Sequence, residues 1–228
     1  MQTIADRLLH AHKLIAQCND SAHRPANSVK LLAVSKTKPV SDLQQAYDAG
    51  QRLFGENYVQ EGVGKIQAMN NVADIEWHFI GPLQSNKTKL VAEHFDWVQS
   101  VDRLKIAQRL SNQRPVDRPP LNICIQINVD DESSKSGILV DEVNSFAAQI
   151  ATLPHLTLRG LMAIPKESNN EQGLHSSFET MRSLYNSLKT QYSSIDTLSM
   201  GMSRDLPLAI LSGATMVRIG TAIFGARN

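Results

Sequence analysis

Residues 31–39, LLAVSKTKP, place four apolar residues ahead of a serine, then Lys36, and end on a proline. The pattern predicts a short buried strand with a lysine at its carboxyl end. In parallel sheets that end is where chemistry sits. A lysine held there loses hydration, which lowers an amine pKa from about 10.4 and frees a nucleophilic lone pair. A strand-end lysine snorkelling to water has the same local pattern. Lys36 therefore gains meaning only from what lies opposite it.

Two later stretches supply that. SMGMSRD (199–205) offers a glycine for close backbone approach and Ser203 as both hydroxyl donor and helix cap. A helix expected from about Asp205 would aim free N–H groups at an anion. Asp205 itself is expected to point outward, because a carboxylate repels a phosphate. MVRIGTAIFG (216–225) adds Arg218, Gly220 and Thr221, another small residue and another hydroxyl. A lysine facing a phosphate cradle suits covalent capture of a phosphorylated aldehyde. Pyridoxal phosphate is one such aldehyde, and the sugar phosphate of a class I aldolase is another. Arg218 separates them, since an always-protonated guanidinium donates to a pyridine nitrogen and keeps it unprotonated. An aldolase would also need carboxylates near the lysine. Asn57 and His78 are weaker candidates: the first also suits a turn cap, and the second, between Trp77 and Phe79, suits a satisfied core histidine.

The elements that must position these groups recur along the chain. Strands are expected over 31–39, 52–58, 76–81, 96–102, 121–129, 157–164, 196–201 and 216–225, with helices between them. That is the count of a (β/α)₈ TIM-type barrel in one domain spanning 1–228. In LNICIQINV (121–129) the aliphatic residues alternate with Asn122, Gln126 and Asn128, which are expected to face the lumen near a site. No helix is expected after the last strand. An extra amino-terminal helix over 3–18 is expected to cover the gap where an eighth helix would lie.

At 228 residues, with 23 Lys plus Arg against 22 Asp plus Glu, the chain has no field that advertises nucleic acid or an anionic membrane. Cys18 and Cys124 are too few for a disulfide framework, and the histidines have no metal spacing. No apolar run approaches the roughly 20 residues of a membrane span. A cytoplasmic monomer is the expectation.

The segments AVSKTKP, RLFGENYVQE, WHFIGPLQSNK, SKSG, LSMGMSRD and VRIGTAIFGAR closely resemble the signatures of the pyridoxal phosphate homeostasis proteins. These are small barrels related to the amino-terminal domain of alanine racemase. The resemblance implies that Lys36 carries the cofactor as an aldimine and that Met202, Ser203, Gly220 and Thr221 hold its phosphate. It also implies that Arg218 faces the ring nitrogen, with Asn57 near the ring. It further implies binding without catalytic turnover, with apo forms of pyridoxal phosphate enzymes as partners. A racemase or decarboxylase of the same barrel type is the alternative, but such enzymes carry a second domain for which this chain has no residues left. Lys135, in DESSKSG, is expected at the barrel mouth, either as a solvated loop lysine or as an aid to cofactor capture.

Overall fold

The structure, a computed structural model, describes residues 2–132, 134–166 and 171–226. The first helix, α1 (Ile4–Ser21), is started by Thr3, whose hydroxyl accepts from the Asp6 amide while the Asp6 carboxylate accepts from the Thr3 amide. This reciprocal cap satisfies two otherwise orphaned donors. Ile4, Leu8, Ala11 and Ile15 fall on one buried stripe, so the helix needs a surface to cover.

Strand and helix then alternate. β1 (Lys30–Val34), α2 (Val40–Asp48), β2 (Leu53–Glu56) and α3 (Val59–Ala68) come first. β3 (Glu76–Phe79), α4 (Thr88–His94), β4 (Trp97–Val101) and α5 (Leu104–Gln113) follow. β5 (Leu121–Ile127), α6 (Val143–Ala151), β6 (Leu156–Ala163) and α7 (Glu171–Gln191) continue the pattern. β7 (Thr197–Ser199), α8 (Leu206–Leu211), β8 (Met216–Ile219) and α9 (Thr221–Phe224) end it. The eight strands form one closed barrel in chain order. Every pair is parallel, and β8 closes on β1 with Leu31 beside Val217 and Leu32 beside Arg218. This is the (β/α)₈ barrel with an extra amino-terminal helix. The main core lies between strands and helices, while Trp97, Cys124 and Met162 pack together inside the lumen. No described helix is long and apolar enough to cross a membrane.

Three expectations need correction. The strands stop earlier than the apolar runs suggest: β1 ends at Val34, β2 at Glu56 and β8 at Ile219. Lys36 and Asn57 therefore stand on the loops just beyond, and Gly220 and Thr221 at the cap and first residue of α9, none of them on a strand. For β1 the cause is Thr37, whose φ of 63° cannot continue an extended chain. A helix does follow the last strand, but α9 is only 4 residues long. It leaves much of the outer wall open, and α1 covers it by packing on α2, α8 and α9. Finally, the polar face of β5 lines no site. Asn122 donates to the Asp96 carbonyl and accepts from Arg159 at the strand's amino end, Gln126 donates to the Ser136 carbonyl, and Asn128 braces the loop at Glu132.

A chain of hydrogen bonds runs through the lumen. Arg218 donates to Ser199 Oγ at 2.8 Å, and Ser199 donates to Gln99 Oε1 at 2.6 Å. Gln99 Nε2 donates to His78 Nδ1 at 2.9 Å, and His78 Nε2 meets Glu76 Oε1 at 3.0 Å. Burial lowers the His78 pKa and keeps the ring neutral, so it accepts at one nitrogen and donates at the other. His78 is thus a satisfied core histidine. Replacing Gln99 by leucine should strand the Ser199 hydroxyl and the His78 acceptor together. Each stranded group costs about 1–3 kcal/mol, so urea unfolding of Gln99→Leu should show a loss of roughly 2 kcal/mol or more. A loss below about 0.5 kcal/mol, the scale of an ordinary surface change, would mean the chain is not energetically coupled.

Candidate functional site

At the carboxyl ends of the strands lies one cavity of about 1110 Å³. Lys36, Asn57, Met202, Ser203, Arg218, Gly220 and Thr221 all line it. The barrel brings these seven residues together, whereas His78 and Lys135 do not line the cavity. Their order around the mouth follows the strands: Lys36 beyond β1, Asn57 beyond β2, the Met202–Ser203 loop beyond β7, then Gly220 and Thr221 beyond β8. Arg218 alone lies on a strand, within β8.

Arg218 is 5% exposed, so its charge must be satisfied from within. Nη1 donates to the Ser199 carbonyl at 2.9 Å and to Ser199 Oγ, and Nη2 donates to the Ala163 carbonyl at 2.8 Å. Three of the five N–H donors of a guanidinium are engaged this way, which fixes its plane. Burial lowers its pKa to about 10, and it stays cationic at neutral pH.

The β7–α8 loop departs from expectation in two ways. Ser203 is exposed on the loop and caps no helix; α8 begins at Leu206 with Asp205 at its cap position and no side-chain cap bond. Asp205 lines the cavity, and its Oδ1 accepts the Met202 amide at 2.5 Å. This differs from the expected outward placement, because a nearby backbone N–H holds the carboxylate. Gly201 takes φ 96°, where a side chain would be strained, and turns the loop inward. At Gly220 an added Cβ would lie 3.1 Å from the Val34 carbonyl, so a side chain there would need the β1 backbone to give by a few tenths of an ångström.

The sequence reading missed several lining residues. Lys166 and Glu171 flank the end of β6 and the start of α7, and Ile80, Ile164 and Pro207 add apolar wall. Lys166 had a readable signal, since it follows an apolar strand by three residues as Lys36 follows β1 by two. Lys135 bonds the Ile164 carbonyl at 3.3 Å and pairs with Glu132, beside the rim and not among the lining side chains. Among the described residues, no three His, Cys, Asp or Glu side chains come together to hold a metal ion.

The residues fit the expected cofactor. The Asn57 side-chain oxygen is buried without a hydrogen-bond partner among the described residues. Such an acceptor is costly unless a donor arrives, and the ring hydroxyl of pyridoxal phosphate is a donor of that kind. An amine, a fixed guanidinium and two small-residue loops complete a set suited to an aldehyde, a ring nitrogen and a phosphate.

Comparisons with known proteins agree. Residues 12–228 match the family model of the alanine racemase N-terminal domain. A pyridoxal phosphate homeostasis protein of Pasteurella multocida is 59% identical over 99% of this chain and 98% of its own. PipY of Synechococcus elongatus, whose structure was solved with pyridoxal phosphate bound, is 35% identical, with a TM-score of 0.83 over 98% of this chain and all of its own. Alanine racemase of Corynebacterium glutamicum, at 15% identity, shares the fold, with a TM-score of 0.73; the match spans 97% of this chain and 62% of the racemase. The barrel, its cavity and these full-length similarities together place the chain in the pyridoxal phosphate homeostasis protein family.

Proposed function

We propose that this protein binds pyridoxal phosphate reversibly in the barrel-mouth cavity and serves the intracellular supply of the cofactor, without turnover of its own. The observation that carries the reading is the meeting of Lys36, Arg218 and the two small-residue loops around one cavity. When bound, pyridoxal phosphate supplies an aldehyde that an uncharged amine attacks, forming a carbon–nitrogen bond with loss of one water. Lys36 provides the amine. Ser203, Gly220 and Thr221 hold the phosphate through backbone N–H groups and hydroxyls, with Met202 beside them, its own amide being taken by Asp205 Oδ1. Arg218 orients the ring and keeps its nitrogen unprotonated, and Asn57 accepts from the ring edge. The recipients are apo forms of enzymes that use the same cofactor. The place of action is the cytoplasm, a reading supported by two cysteines that remain free.

A racemase or decarboxylase would share the covalent capture. Racemisation further needs an acid or base on each face of the bound amino acid, within hydrogen-bond reach. Tyr58, the tyrosine nearest Asn57 in sequence, is 53% exposed and does not line the cavity. The related racemase extends well beyond the part matched here. With Arg218 beside the ring nitrogen, the ring is also a poor electron sink, because two cationic groups at hydrogen-bond distance repel.

Two outcomes check this. The double variant Ser203→Ala, Thr221→Val removes two charge-assisted bonds to phosphate and Arg218→Gln one to the ring nitrogen, so the double variant should weaken binding more in a spectral titration. The reverse order would make the guanidinium the main source of affinity. L-alanine incubated with the loaded protein in deuterated water should keep its α-proton by NMR. Exchange near about 1 per second, an ordinary enzyme turnover, would make the protein an enzyme.

A further inference from the structure

Both peptide groups that flank Lys36 are held from behind by one buried ionic cluster. Lys65, on α3, is 5% exposed, and its ammonium donates to three oxygens: the Ser35 carbonyl at 2.7 Å, Glu56 Oε1 at 2.8 Å and Glu61 Oε1 at 2.6 Å. Ser35 Oγ donates to the same Glu56 oxygen at 2.6 Å. Glu61 Oε1 also accepts the Thr37 amide at 2.6 Å. The carbonyl just before Lys36 and the amide just after it are thus tied to the same charged side chains.

The cluster is costly. Taking a lysine and a glutamate out of water carries a desolvation penalty that an apolar pair of similar volume would avoid. Glu56 is fully buried, and its second oxygen, Oε2, has no hydrogen-bond partner among the described residues. Close approach of α3 to β2 depends on Gly62, where an added Cβ would lie 2.6 Å from the Phe95 ring and 3.2 Å from Glu56 Cβ. Stability alone does not explain such an arrangement. The bonds it makes do: they run to Ser35 and Thr37. Thr37 is a β-branched residue at φ 63°, a conformation that persists only where surroundings over-determine it. The Glu61 bond to its amide is one such determinant.

We propose that Glu56, Glu61 and Lys65 are positioning residues, a clamp that fixes the backbone on both sides of Lys36 and so aims its amine into the cavity. The clamp leaves only the torsions of the Lys36 side chain to be searched when an aldehyde arrives. This rests on Lys36 being the attachment point.

Glu61 is the useful handle, because its side chain is 28% exposed and its removal leaves Lys65 paired with Glu56. Glu61→Ala removes the acceptor of the Thr37 amide, whereas Glu61→Gln keeps an oxygen there. Lys65→Met releases the Ser35 carbonyl. Pyridoxamine phosphate, which has an amine in place of the aldehyde, reports binding without attachment. Glu61→Ala and Lys65→Met should bind it within about twofold of the parent, since its phosphate and ring contacts lie elsewhere. Attachment of pyridoxal phosphate, followed by absorbance, should slow by about tenfold or more, because a displacement of roughly 1 Å can cost on the order of 100-fold. Glu61→Gln should recover most of that rate. Parental attachment rates in Glu61→Ala and Lys65→Met would overturn the clamp, as would an equal loss of pyridoxamine phosphate binding or no recovery in Glu61→Gln. A parent protein that attaches nothing at Lys36 would instead remove the reading beneath it, and the clamp with it.

Discussion

The pairing of β8 with β1 is the constraint on which the site depends. The first and last strands meet only because the barrel closes, and their register sets Leu32 beside Arg218. Lys36 follows β1 on its loop, and Gly220 and Thr221 follow β8 at the start of α9. Residues from opposite ends of the chain thereby face one cavity. Parallel pairing makes the geometry one-sided, since every strand delivers its carboxyl end to the same mouth. The α1 helix belongs to this closure as well, because it covers the wall that the four-residue α9 leaves open beside β8.

Arg218 lines the cavity and Lys65 lies behind the Lys36 backbone; both are buried cations, and each is satisfied differently. Arg218 is held by the carbonyls of Ser199 and Ala163 and by the Ser199 hydroxyl, neutral acceptors that fix direction without neutralising charge. Lys65 is held by two carboxylates and a carbonyl. Burial raises the Glu56 pKa while Lys65 and Ser35 pull it back down. The positive field that Arg218 retains faces the site, and that of Lys65 is met by the Glu56 and Glu61 carboxylates, with one bond to the Ser35 carbonyl.

Much of this was legible in the sequence, and the remainder was hidden for physical reasons. The strand count, the barrel and the lining residues followed from apolar runs separated by helical patterns and from small residues at strand ends. Strand ends were overrun because apolar character continues into the loops, and nothing in LLAVSKTKP announces the positive φ of Thr37. The α9 helix is too short for a helical period to register. Repulsion from a phosphate alone would turn Asp205 outward, but the Met202 amide, which no sequence pattern announces, holds its carboxylate at the cavity. The 5- and 4-residue spacing of Glu56, Glu61 and Lys65 stood in plain view. Its meaning was not visible, because spacing alone does not show which backbone groups a carboxylate or an ammonium reaches.

The central claim is that one lysine takes the cofactor. Trapping by borohydride reduction of the loaded protein, followed by peptide mass mapping, addresses it most directly. The account predicts a pyridoxyl adduct on the peptide that contains Lys36, in near-stoichiometric yield. An adduct found mainly on Lys38, Lys87 or Lys166, with the Lys36 peptide unmodified, would contradict it.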